Sequence, residues 1–202
     1  MELSLPLDPA NYDPIDDLFE DAYKIFVVQL KYQDKRPTLF GKRIFIDSTG
    51  TQDGKTRGFW HIASIGADDN KYDMFPCVND KCNGTCKYKC DVDHCDNILK
   101  DDNSVPCLYR ANKITWVKEL IELATQNKFH PNLRVWEHID KKTGHKDLLI
   151  RYVSEYIDYV LIFKIDRASK NYPYRLKTAF PIVLKSYKYR YDKEYDEFIQ
   201  KK

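Results

Sequence analysis

Apolar positions recur at helical spacing in PIDDLFEDAYKIFVVQL (14–30), where Ile15, Leu18, Phe19, Ala22, Phe26 and Val27 share one face. Pro14 suits a first turn, and Asp16, Asp17 and Glu20 favour the positive end of the helix dipole. NKITWVKELIELATQ (112–126) repeats the pattern with Ile114, Val117, Leu120, Ile121 and Ala124. Other segments read as strands. KRIFID (42–47) and RGFWHIAS (57–64) flank a polar turn with Asp53-Gly54 at its tip, which predicts a hairpin over 42–64. NLRVWEHI (132–139), KDLLIRYV (146–153), DYVLIFKID (158–166) and YRLKTAFPIV (174–183) follow, joined by short turn-like linkers. Short connections imply antiparallel neighbours. The tail, YRYDKEYDEFIQKK, can form a short amphipathic helix. The pattern predicts an α+β fold, with N-terminal helices packed on one face of an antiparallel β-sheet.

Residues 66–108 break the pattern. They are polar, lack periodicity and are too long for an ordinary loop. They read as an insert within a single domain spanning 1–202, a length that suits one substantial domain. All six cysteines lie between 77 and 107, at Cys77, Cys82, Cys86, Cys90, Cys95 and Cys107, with His94 beside Cys95. The gaps are x4, x3, x3, x4 and x11, so no C-x2-C knuckle is present. A structural zinc held by a subset of these seven donors would supply the folding free energy that a coreless segment lacks. Three disulfides in an oxidising compartment, or a redox role, are the other readings. A catalytic zinc is disfavoured, because neither H-E-x-x-H nor a deaminase signature occurs.

The charge is nearly balanced, 33 basic against 31 acidic residues, so composition does not force a nucleic-acid partner. Its distribution says more. Residues 13–21 are acidic, whereas Lys164, Arg167, Lys170, Arg175, Lys177, Lys185, Lys188 and Arg190 gather in 164–190. With 15 tyrosines, the C-terminal region interleaves cations with aromatic rings, as a surface for a nucleic-acid strand does. It is equally the pattern of a solvated helix face. Seven glycines and no G-x-G-x-x-G or P-loop argue against a phosphate-cradling loop. The N-terminus lacks a secretory pattern, and the longest apolar run, YVLIFKI, is too short to span a bilayer. These features lead us to expect a cytoplasmic protein with no membrane partner.

Four polar side chains stand out on the strands. His61 sits in an apolar run, either as a core histidine or as an acid/base. Arg134, Arg175 and Thr178 lie on later strands. Strict alternation puts Arg175 with Lys177 on one side and Thr178 with Leu176 and Phe180 on the other, unless a bulge intervenes. Glu137, His138 and His145 are further candidates for the same site.

The segments GFWHIAS (58–64), LRVWEHI (133–139), YVLIFKID (159–166) and YRLKTAFPIVLKSYKYRY (174–191) give a layout that resembles the barnase–EndoU–colicin–RelE class of small RNases, in its phage- and mobile-element-encoded branch. The Cys-rich insert departs from that class. The resemblance implies an endoribonuclease, of toxin or effector type, cleaving RNA and often tRNA without a catalytic metal. RNA carries its own nucleophile in the 2′-hydroxyl, and a histidine can exchange the protons. On this reading His61 is the acid/base, Arg134 and Arg175 stabilise the phosphate, and Thr178 supplies a hydroxyl. Lys164, Lys177, Lys185, Lys188 and Arg190 bind RNA, and an inhibitor or antitoxin protein is a further partner. The competing reading is a non-enzymatic, zinc-containing module that binds nucleic acid or protein.

Overall fold

The computed structural model describes residues 2–14, 16–66, 104–140 and 143–201. These group into two compact units, one comprising Ser4–Tyr32 and Asp47–Trp116, the other Met1–Leu3, Gln33–Ile46 and Val117–Lys202. The class is α+β, with an antiparallel-dominated sheet of five strands and helices packed on it.

The first unit holds α1 (Asp16–Phe26), which runs on into a π-helical turn (Val27–Lys31). Leu18, Phe19, Ala22 and Phe26 are its buried stripe, as the spacing predicts. Strands β2 (Thr51–Gln52) and β3 (Lys55–Thr56) make a tight hairpin. Asp53 and Gly54 both have positive φ, 49° and 67°, the backbone that a two-residue type I′ turn requires. The hairpin ends there. Residues Arg57–Ala63 form helix α2 instead of the expected strand, so the 42–64 hairpin is not present. Gly58, Phe59, Trp60, Ile62 and Ala63 are all buried in α2, and an apolar run buried on nearly every side has no period that separates helix from strand. The Phe59 and Trp60 rings meet at 5.0 Å, and Phe59 packs edge-on against Phe26 at 5.7 Å. Strands β4 (Ser64–Gly66) and β5 (Ser104–Pro106) pair antiparallel and lead into the short helix α3 (Leu108–Ala111). Asn112 closes α3, and α4 (Ile114–Gln126) follows.

The second unit is built on strands β1 (Ile44–Phe45), β6 (Leu133–Ile139), β7 (Lys146–Val153), β8 (Asp158–Ile165) and β9 (Tyr174–Pro181). The sheet order is β1-β9-β8-β7-β6. β6 to β9 form an antiparallel meander, whereas β1 joins β9 in parallel. Helix α5 (Lys185–Gln200) lies on one face. Beneath it Trp136, Leu149, Val160, Ile182 and Tyr191 form a core, with Ile162, Phe180, Tyr187, Tyr195 and Phe198 packed against it. On the opposite face Leu133, Val135, Leu148, Ile150, Leu161, Phe163, Leu176 and Ala179 are buried as well. The C-terminal part of α4 buries Val117, Leu120, Ile121 and Ala124 in this unit. Among the described residues no helix is long and apolar enough to cross a membrane.

Candidate functional site

The polar residues of the sheet are sorted by one irregularity. β8 and β9 pair in step from Tyr159–Pro181 to Ile162–Thr178, then slip, so that Phe163 faces Leu176. Lys177 is the extra residue of a β-bulge. Residues opposite one another in register point to the same face. The bulge therefore moves Thr178 onto the side that carries Arg175, the α5 face, where simple alternation separates them. The same register lines up His138, Asp147, Lys164 and Arg175 on four neighbouring strands, with Phe45 of β1 beyond.

Charge is concentrated at this end of the face. The Lys177 ammonium donates to Asp147 Oδ2 at 2.8 Å and lies 3.6 Å from Asp140. Lys164 Nζ stands 3.2 Å from His145 Nε2 and has no carboxylate partner among the described residues. The exposed Arg175 guanidinium lies over the Phe45 ring, 4.6 Å from its centre, a cation–π contact. His138 Nδ1 is 3.6 Å from Glu194 of α5. Burial, and after it the charge of Glu137, raises the pKa of Tyr174 beside this end.

Arg134 belongs to a different cluster. It shares the α5 face, but its partner across the strands is Arg151. From Arg175 it stands roughly 14 Å across the strands and about 13 Å along them, from strand spacing and rise. Asp192 of α5 pairs with both Arg134 and Arg151, and Asp158 grips Arg151 with two bonds of 2.7 Å. Burial works against the Arg151 charge, but the hydrogen bonds and charges of Asp158 and Asp192 outweigh it and raise its pKa. Arg134 thus anchors α5 to the sheet and does not join Arg175 and Thr178.

His61 lies in the other unit. It is exposed in the last turn of α2, four residues after Arg57, the other exposed position of that helix. Its ring is therefore not sealed in the core. Lys185, Lys188 and Arg190 are exposed on the first half of α5, with Lys188 3.8 Å from Asp158 and Arg190 over the Tyr187 and Tyr191 rings at 4.7 and 4.5 Å. Of the seven candidate zinc donors, Cys77, Cys82, Cys86, Cys90, His94 and Cys95 lie outside the described residues. Cys107 is buried at the start of α3, where burial pushes its thiol pKa up. Among the described residues no group of three or more His, Cys, Asp or Glu is placed to hold a metal.

Sequence reasoning passed over Asp147. The signal was present: it is the one acid in KDLLIRYV, two residues from Leu149 on the same face, and such an acid needs a partner. No family model, curated protein or solved structure matches the chain.

Proposed function

We propose that the protein is an endoribonuclease that cleaves RNA through its 2′-hydroxyl, with the phosphate seated at the polar end of the α5 face. The observation that carries this reading is the bulge at Lys177, which gathers Arg175, Lys177 and Thr178 beside Lys164. A transferring phosphate builds negative charge on its oxygens, and cations and hydroxyls fixed in advance stabilise that charge. Arg175 and Lys164 are the stabilising cations, Thr178 the hydroxyl, and Lys177 a cation held in place by Asp147. Attack by the 2′-oxygen needs a base for its proton. His145, in contact with Lys164, is the imidazole of this unit that fits this role; the resemblance makes His61 the acid/base instead, and His145→Ala and His61→Ala separate the two readings.

Lys185, Lys188 and Arg190 supply the longer-range attraction for the RNA backbone. An inhibitor protein would hold such an activity in check in the cell. The cysteine segment carries a structural zinc in this reading, with no part in the chemistry. The test is the product. Total RNA incubated with the pure protein yields fragments ending in a 2′,3′-cyclic phosphate and a 5′-hydroxyl, with or without chelator. Binding without fragments favours a non-enzymatic module, and fragments that vanish with the metal while the protein stays folded favour a metal-dependent hydrolase.

A further inference from the structure

Two buried carboxylate oxygens at the polar end, Oδ1 of Asp147 and Oε2 of Glu194, have no hydrogen-bond partner among the described residues. Asp147 is only 4% exposed. A buried carboxylate oxygen left without a donor is costly, and it is open to accept from a donor beside it. Both oxygens belong to residues that bracket one side chain. His138 faces Asp147 directly across the β6–β7 pair, and Glu194 Oε2 lies 3.6 Å from His138 Nδ1. A neutral imidazole has one N–H, whereas the protonated ring has two and can serve an acceptor on either side. His138 is half-buried, so the ring is shielded but not closed off from a substrate.

We infer that His138, bracketed by Glu194 and Asp147, is the general acid that protonates the departing 5′-oxygen. This rests on the reading that the polar end of the sheet cleaves RNA. In the step, the 2′-oxygen bonds to phosphorus and the bond from phosphorus to the 5′-oxygen breaks. The electron pair leaves with the 5′-oxygen, which takes the proton from the imidazolium of His138. The 2′-hydroxyl proton goes to a separate base. Glu194 and Asp147 are positioning residues, since they act through the ring.

A leaving group that needs no proton reports on this role. The full-length wild type, His138→Ala and Glu194→Gln are compared on an RNA oligonucleotide and on uridine 3′-(4-nitrophenyl phosphate). Loss of a general acid lowers kcat on RNA by about 10²–10⁴-fold but spares most of the rate on the aryl ester. Glu194→Gln shows the same contrast at smaller amplitude, and it serves if His138→Ala does not fold. Equal losses on both substrates, or none on RNA, with an active wild type overturn the assignment alone. A wild type inert toward both substrates removes the nuclease reading and this assignment with it.

Discussion

Lys177 and Asp147 are joined by a 2.8 Å hydrogen bond between β9 and β7, although β8 lies between their strands. The bulge makes this reach possible, because the extra residue lets Lys177 lean onto the α5 face. Asp147 is buried, and among the described residues this ammonium is its closest cation. Lys177→Met leaves that carboxylate uncompensated. Lys177 is itself about one-third exposed, so the loss is at the low end for a buried pair, about 1–3 kcal/mol in urea unfolding. Asp147→Asn, which removes the charge but keeps the shape, loses less than Lys177→Met.

Arg151 is the best-compensated buried charge of the sheet, gripped by Asp158 and bonded to Asp192. Asp158→Ala leaves the guanidinium with Asp192 alone and destabilises by about 3 kcal/mol, the low end for a broken buried pair. Arg134→Ala, at the partly exposed rim of the same cluster, costs about 1 kcal/mol or less. Chemical denaturation of the two variants side by side checks the ordering. Equal losses would show that burial of the pair does not set the scale.

Lys113 makes stability depend on pH. It is buried, its ammonium sits over the Tyr109 ring at 3.6 Å, and it donates to the Tyr109 carbonyl and Asn112 Oδ1 at 3.0 Å each. Burial lowers its pKa from 10.5 to about 8. Below pH 8 both folded and unfolded chains hold the proton, and the cost of burying the charge is fully present. Between the two values the unfolded chain binds more protons, so stability rises with pH through that window. The wild type therefore gains about 3 kcal/mol relative to Lys113→Met between pH 7 and pH 10.5. A difference that stays constant across that range would contradict the shift.

The zinc proposal predicts about one or two equivalents of zinc per chain, by the ligand count of closed structural sites. Elemental mass spectrometry of protein purified without added metal checks this. A metal-free, folded preparation would remove the proposal.

Much of the sheet was legible in the sequence because its strands are long and bounded by turn residues. The expected 132–139, 146–153, 158–166 and 174–183 became Leu133–Ile139, Lys146–Val153, Asp158–Ile165 and Tyr174–Pro181. The stripes of α1 and α4 were legible for the same reason. RGFWHIAS was not, because six of its eight residues are buried together and no alternation survives. Nor was the parallel pairing of β1, since two residues carry no signal of partner or direction. At the site, alternation alone set Arg175 and Thr178 on opposite faces, because one inserted residue reverses every side chain beyond it. Arg134 looked equivalent to Arg175 along the chain. Only the register reveals that Asp192 and Arg151 claim it.

The account turns on whether the corner gathered by the bulge handles an RNA phosphate. The most direct measurement is the cleavage rate of an end-labelled RNA in excess chelator, for wild type, Arg175→Ala and Arg134→Ala, with circular dichroism confirming the fold of each. The account predicts chelator-resistant cleavage by wild type, a loss of about 10²–10³-fold in Arg175→Ala, and a near-wild-type rate in Arg134→Ala. No cleavage by folded wild type, or equal losses in the two variants, would contradict it.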